Sequence, residues 1–242
     1  MSTLSASESR PVQRYENSYR RYTWHNRVAH NAPVLPFRRE APNGWCSYYS
    51  IIAAFESHLR LQHNIQDDLS IDYLWRKDRK VKNEMIKDGT YAKMKMTRNI
   101  RIMEILKRTG IPTHKSYVLF CQEKAPCLMH KIKGYAKYDV KCRGHIRMAL
   151  RKHLFHGPMV AAFYISTNYV RCMRYGSIYV FNKHAPVLDE ETNEKISHSV
   201  CVISFGIEGK VPFLLFRTEN LDWPSYGRVQ FQSVKELYGI DL

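Results

Sequence analysis

Residues 36–57 read PFRREAPNGWCSYYSIIAAFES, and this stretch carries the strongest signal for the fold. Gly44 breaks regular structure and a helix-forming run follows it, so the sequence predicts a helix that begins at Cys46. A thiol at the start of a helix lies near unpaired backbone amides that favour the nucleophilic thiolate. A free cysteine in this position also fits a small buried apolar residue, so the stretch alone leaves both interpretations open.

A second signal lies far downstream, in three segments that predict consecutive strands. Residues 196–206, ISHSVCVISFG, predict a buried strand with His198 near its beginning. Residues 209–216, GKVPFLLF, predict the next strand, and residues 223–231, WPSYGRVQF, predict a turn and a final strand. A cysteine at a helix start, followed about 150 residues later by a histidine on a strand, is the spacing typical of papain-like and cathepsin-like peptidases.

Residues 36–57 resemble, without a gap, the nucleophile segment of the papain-like cysteine peptidases. The matching positions are Pro36, Arg38, Gly44, Cys46, Ser50, Ala53, Ala54, Glu56 and Ser57. Further segments resemble the family in the same order, namely Trp24, Leu69-Ser70, 132–135, 144–179, the His198-Ser-Val triplet and 209–231. The resemblance covers most of the chain. It implies an α+β, two-lobed fold in which a helical lobe packs against an antiparallel, barrel-like β lobe.

The same resemblance implies a function and two site residues. Cys46 would be the nucleophile and His198 the base of a cysteine-type peptidase that acts on a peptide or protein substrate. No cofactor and no metal are expected, since Cys121 and Cys127 lack a second cysteine pair at zinc-ribbon spacing.

Three positions depart from the family pattern. Glu40 replaces the glutamine that donates to the oxyanion, Arg217 replaces the asparagine that orients the histidine, and Glu219 replaces the indole that shields it. Asn220 is close enough in sequence to take over from Arg217 after a local shift. A second hypothesis is an ion pair between Glu40 and Arg217. These departures favour an alternative function, a weak or inactive pseudopeptidase that binds peptides or an acidic partner without turnover.

The predicted organisation has four parts. A flexible polar lead covers 1–23, a mainly helical lobe 24–140, a mainly β lobe 141–231, and a C-terminal tail 232–242. We expect helices over about 46–61, 70–77, 98–108 and 144–155. We expect strands over 159–166, 178–181, 199–205, 212–216 and 228–231.

The net charge of +16 is unevenly distributed. Residues 76–108 hold twelve Lys or Arg against four Asp or Glu, which accounts for half of the excess. This basic segment predicts either a surface that recruits an acidic partner or a solvated face of a basic protein. It is accompanied by no helix-turn-helix, zinc-finger or aromatic RNA-binding motif, so specific nucleic-acid recognition has little support.

The compartment is predicted from the absence of familiar sequence features. No apolar run approaches a membrane span, and residues 1–10 carry no secretory signal pattern. The six cysteines do not match the disulfide pattern of the family, in which the position of Asn43 is a cysteine. We therefore expect a reducing location, in the cytoplasm or nucleus, whereas relatives in the family are typically lysosomal, vacuolar or secreted.

Overall fold

A computed structural model describes residues 23–94, 96–123, 126–219 and 224–242. The predicted lead over 1–23 lies outside these residues, apart from Thr23. Two short strands, β1 (Val28–Ala29) and β2 (Ala32–Pro33), form a hairpin ahead of the first helix. The helices then come first along the chain and most of the sheet comes second, as the sequence predicted.

The helical half is built around α1 (Cys46–His63), whose side chains are buried along most of its length. It packs against α2 (Ile71–Lys87) and α4 (Arg98–Arg108) and also contacts the large sheet. The short α3 (Thr90–Met94) connects α2 and α4, and α5 (His114–Cys121) follows β3 (Ile111–Pro112). Because α1 is buried on nearly every side, it contacts the helices and the sheet together.

The β half is a seven-stranded sheet in the order β5-β11-β6-β8-β9-β10-β7. All neighbours are antiparallel except β10 and β7. The strands are β5 (Gly134–Tyr138), β6 (Met159–Tyr164), β7 (Ile178–Tyr179), β8 (Ser197–Glu208), β9 (Val211–Arg217), β10 (Tyr226–Gln230) and β11 (Val234–Asp241). The remaining short strand β4 (Met129–His130) pairs with β3.

Two further helices flank the sheet. α6 (Arg143–Ala149) continues into a π-helix over Leu150–Leu154, and α7 (Tyr169–Tyr175) precedes β7. One cluster of buried apolar side chains runs from α1 through α4 to β6, β8, β9 and β11, so the two halves share a core. Among the described residues, no helix is both long and apolar enough to cross a membrane.

Several predicted boundaries agree closely with the structure and two features do not. The helices expected over 46–61 and 98–108 are α1 and α4, and the five expected strands are present with small changes in length. The helix expected over 70–77 extends to Lys87, because the polar residues after position 77 form a solvent-exposed amphipathic continuation. The predicted tail over 232–242 is wrong. Its apolar residues form β11, which lies inside the sheet between β5 and β6.

Candidate functional site

The cysteine predicted as nucleophile is the first residue of α1. Gly44 adopts φ 78°, in the left-handed region that glycine enters without strain, and this turn directs the chain into the helix. Trp45 occupies the cap position without a side-chain capping bond, and Cys46 follows it, partly buried. The thiol therefore lies at the positive end of a long helix.

His198 reaches the same place from the other half of the molecule. It is the second residue of β8 and lies opposite Phe163 of β6 in the sheet register. Its ring contacts Phe163, with centroids 5.9 Å apart, and Tyr169 of α7, with centroids 5.6 Å apart. A side-chain hydrogen bond joins His198 to Cys46, so the two predicted site residues lie together.

The thiol of Cys46 is poised to ionise near neutral pH. Burial raises its pKa, but the hydrogen bond and charge of His198 oppose this effect. The backbone amide of Ser199 also donates to the sulfur at 3.5 Å, and the guanidinium of Arg98 adds a favourable charge. The result is a pKa of about 7, below the ordinary value of 9.0 for a thiol. At pH 7 a substantial fraction of Cys46 is thus thiolate, the form that attacks carbonyl groups.

The position aligned with the orienting asparagine is occupied by a buried ion pair. Arg217 donates from Nε to Glu219 Oε1 at 2.7 Å and from a second nitrogen to the same oxygen. Its third donor binds the carbonyl oxygen of Pro36 at 2.5 Å. The hypothesis of a Glu40–Arg217 pair is therefore wrong. Glu219, two residues from Arg217 on the same segment, pairs with the guanidinium in place of Glu40.

Glu40 is exposed to solvent. Asn220, the other candidate for orienting His198, lies outside the described residues, as does Trp223.

Aromatic and basic side chains beside Cys46 were not anticipated from the sequence. The Trp45 ring stacks on Trp75 of α2, with centroids 5.3 Å apart, and the guanidinium of Arg79 lies 4.8 Å from the Trp75 ring. On α4, Arg98 donates to the carbonyl oxygen of Gly44. These contacts join residues that are far apart in sequence, so no local pattern indicated them. Arg79 and Arg98 place exposed positive charge from the basic segment next to the site.

A buried polar network lies behind the dyad. Ser199 follows His198, and its hydroxyl donates to Asn99 Oδ1 at 3.1 Å and lies 3.2 Å from the hydroxyl of Ser47. The amide of Asn99 then donates to Glu236 Oε2 at 3.2 Å. The network joins α1, α4, β8 and β11, and so holds the two halves in a fixed relation around Cys46 and His198. A lone asparagine on a predicted helix gave no signal for this role.

The dyad opens into a cleft with a cavity of about 290 Å³. The cavity is lined by the turn before α1, by the beginning of β8, and by Arg217 and Glu219. Within the described part of the chain, no three His, Cys, Asp or Glu side chains are grouped closely enough to hold a metal ion. The arrangement is suited to nucleophilic attack by a thiolate with a neighbouring imidazole as acid and base.

Comparisons with solved structures identify the fold. No protein-family model and no curated protein sequence matches the chain. A cysteine protease of Carica candamarcensis in complex with E-64 is similar with a TM-score of 0.57 and 14% identity, covering 90% of this chain and 96% of that one. Digestive procathepsin L 3 of Tenebrio molitor larval midgut is similar with a TM-score of 0.54 and 14% identity, covering 93% and 72%.

A third similar structure is proCathepsin B S9 from Trypanosoma congolense, with a TM-score of 0.53 and 11% identity, covering 100% of this chain and 82% of that one. The chain therefore has the papain-like, two-lobed α+β fold. At these identities the comparisons establish the fold, and the chemistry has to be argued from the site itself.

Proposed function

We propose that the protein is a cysteine-type peptidase in which Cys46 is the nucleophile and His198 the acid and base. The observation that carries this proposal is the side-chain hydrogen bond between His198 and Cys46 at the helix start, in an open cleft. A buried structural cysteine would not need an imidazole partner. Cys201, which is fully buried, illustrates the contrast, because burial raises the pKa of its thiol to about 12.

The reaction would follow the usual order for a thiolate and an imidazolium. The Cys46 sulfur attacks the carbonyl carbon, and the backbone amide of Cys46 donates to the oxygen that becomes negative. His198 gives its proton to the leaving amine, which departs and leaves a thioester on Cys46. His198 then takes a proton from water, the hydroxide attacks the thioester, and Cys46 is released as thiolate with His198 protonated again.

The departures from the family pattern predict a slow enzyme. Without the side-chain donor that Glu40 replaces, oxyanion stabilisation falls, and loss of one such donor costs about 10²–10³ in rate. Arg217 has only donor groups and is occupied by Glu219, so it is not an acceptor for the ring proton of His198. The rings of Phe163 and Tyr169 would orient the imidazole instead.

The alternative is a pseudopeptidase that binds peptides in the cleft without turnover. The observation that favours it is the Arg217–Glu219 pair, which places two mutually paired charges in the lining of the cleft. Under this alternative the retained dyad would be a relic, and the thiol would react without help from His198.

The basic segment over 76–108 supports an acidic substrate or partner. Arg79 and Arg98, both exposed, lie beside the turn that leads into Cys46, so acidic side chains next to the scissile bond would meet positive charge. Binding of a nucleic acid remains a less supported alternative. All six cysteines lie within the described residues and none forms a disulfide, which supports a reducing location such as the cytoplasm or nucleus.

The test is covalent labelling by an epoxide inactivator of papain-like enzymes. Wild type, Cys46→Ala, His198→Ala and the control Cys142→Ala, which removes an exposed thiol, would be treated in parallel and mapped by mass spectrometry. Labelling of Cys46 that survives Cys142→Ala and is lost in His198→Ala supports the peptidase and justifies a screen of acidic peptide substrates. Labelling of Cys46 that is indifferent to His198 would favour the pseudopeptidase.

A further inference from the structure

A cavity of about 720 Å³ lies away from the dyad at the far end of β8. Its wall at that end is formed by the β8–β9 hairpin from Phe205 to Pro212. His198 is seven positions before Phe205 on the same strand, so the cavity is about 20 Å from the proposed site at the usual rise per residue of a strand. We call this cavity the hairpin groove.

The hairpin groove has an apolar floor. Aliphatic and aromatic side chains from four parts of the fold line it, namely Val140, Ile146, Leu150, Phe205, Ile207, Val211, Phe231 and Val234. Ile207 is 63% exposed, which is high for a large apolar side chain, and it stands at the edge of the groove. A contiguous apolar surface of this kind is typical of a site that binds a partner or ligand.

Every charged side chain that lines the hairpin groove is positive. The four cations are Lys141, Arg147, Lys210 and Lys235, and all four are exposed. They come from the loop before α6, from α6, from the hairpin turn and from the start of β11. The positive charge thus comes from four separate segments of the lining.

Two acids that lie next to lining residues in the sequence are already engaged. Asp139 accepts a hydrogen bond from the backbone amide of Lys141 at 2.9 Å, and Glu208 pairs with Arg228. Next to the groove, a second cavity is lined by Arg147, Arg151 and Lys152 on the outer side of the same helical segment. The positive surface therefore continues from the groove along that segment.

We propose that the hairpin groove binds an acidic peptide segment of a partner protein, with apolar residues inserted into the floor and acidic residues paired with the rim. The distribution of charge favours this occupant. A fatty acid carries one negative charge, whereas the lining here holds four cations from four separate segments. A nucleic acid would need stacking platforms along its path, and most of the floor is aliphatic.

The chain's own N-terminal residues do not have the complementary charge. Thr23, the first described residue, forms an isolated bridge with Ser204, which precedes Phe205 of the groove. Residues 1–22 contain four Arg and two Glu, a net positive charge. An external acidic segment fits the rim better than these residues do.

The inference is tested by binding of a fluorescent peptide composed of Glu and Leu, measured by anisotropy with the full chain carrying Cys46→Ala. This background removes turnover, so the result does not depend on the proposed peptidase activity. The variants are Arg147→Glu/Lys210→Glu for the rim and Ile207→Ser for the floor. Lys115→Glu, an exposed cation on α5, is the matched control.

We expect the peptide to bind, with affinity that falls about tenfold in the rim variant and is unchanged in the control. Binding should weaken with added salt and in Ile207→Ser, since both charge and apolar contact contribute. A peptide of Lys and Leu should not bind. Equal loss in Lys115→Glu, or no loss in the rim variant, would overturn the proposal. In a competition assay, a fluorescent fatty acid or oligonucleotide that binds the groove and is not displaced by the acidic peptide would also overturn the proposal.

Discussion

The buried Arg217–Glu219 pair gives a prediction that can be worked from the structure. The side chains are 3% and 7% exposed, and the carboxylate receives two bonds from the guanidinium. In Arg217→Met the hydrogen bond that the carboxylate keeps, among the described residues, is the one from the backbone amide of Arg39 at 3.3 Å. Burial raises the pKa of Glu219 while Arg217 lowers it, so loss of Arg217 forces Glu219 towards protonation or leaves a buried charge. We expect a loss of about 3–5 kcal/mol of unfolding free energy at pH 7.

Two further variants separate the energy of the ion pair from the cost of burying its two charges. Glu219→Gln should cost a similar amount, because it leaves the buried guanidinium of Arg217 with a neutral partner. Arg217→Met/Glu219→Leu should be close to wild type, since two buried charges are replaced together by apolar groups of similar size. The strongly non-additive cycle is the signature of the buried pair.

Guanidinium unfolding followed by tryptophan fluorescence measures these free energies. Arg108→Met is the control, because Arg108 is 80% exposed and pairs with Glu104 one turn away on α4. We expect that surface pair to contribute less than about 1 kcal/mol. The reasoning is refuted if either single variant of the buried pair behaves like Arg108→Met, or if the double variant loses as much as the two single variants combined.

Two further predictions concern the contact between α1 and the start of β6. A Cβ on Gly157 would lie 2.2 Å from the ring of His58, so Gly157→Ala should destabilise the fold by about 1–3 kcal/mol. The control is Gly144→Ala in α6, where the Cβ would lie 3.7 Å from the sulfur of Cys142, an ordinary contact distance. Thermal unfolding should show that this control is neutral or stabilising. Burial lowers the pKa of His58 from 6.5 to about 4, so the folded state favours the neutral imidazole. The stability that this group contributes is complete above pH 6.5 and is lost as the pH falls to about 4. The loss in unfolding free energy should be about 3 kcal/mol. Burial raises the pKa of Glu56 to about 7, so this group makes the protein more stable as the pH falls, opposite to His58. The quantity to measure is therefore the difference in unfolding free energy between wild type and His58→Gln at each pH. Identical pH profiles for the two proteins would contradict the second prediction.

The parts of the fold that follow from local patterns were predictable. The boundaries of α4 and the start of α1 depend on a glycine turn, a periodic apolar face and short-range helix signals, all of which are present in the sequence. The strands around His198 are continuous apolar runs, and such runs indicate buried strands without any knowledge of their neighbours.

The features that the sequence did not indicate depend on contacts between distant segments. The sequence predicts a tail where β11 forms, because this strand is stabilised by pairing with β5 and β6, which lie on either side of it in the sheet and are distant in sequence. Asn99 joins the polar network behind Ser199, a residue 100 positions away. The pairing of Arg217 with Glu40 is a wrong prediction for the same reason. The family resemblance indicates which residues lie near the site but not how their side chains are oriented.

The central claim is that His198 activates Cys46, and the most direct measurement is the pH dependence of Cys46 alkylation. The rate of modification of the Cys46 peptide by iodoacetamide would be followed by mass spectrometry in wild type and in His198→Ala. The account predicts a half-maximal rate near pH 7 in wild type. In His198→Ala the midpoint should move upwards from that value, because His198 makes the largest contribution that lowers the pKa of Cys46 against burial. A wild-type midpoint at 9 or above, or the same curve for both proteins, would contradict the claim.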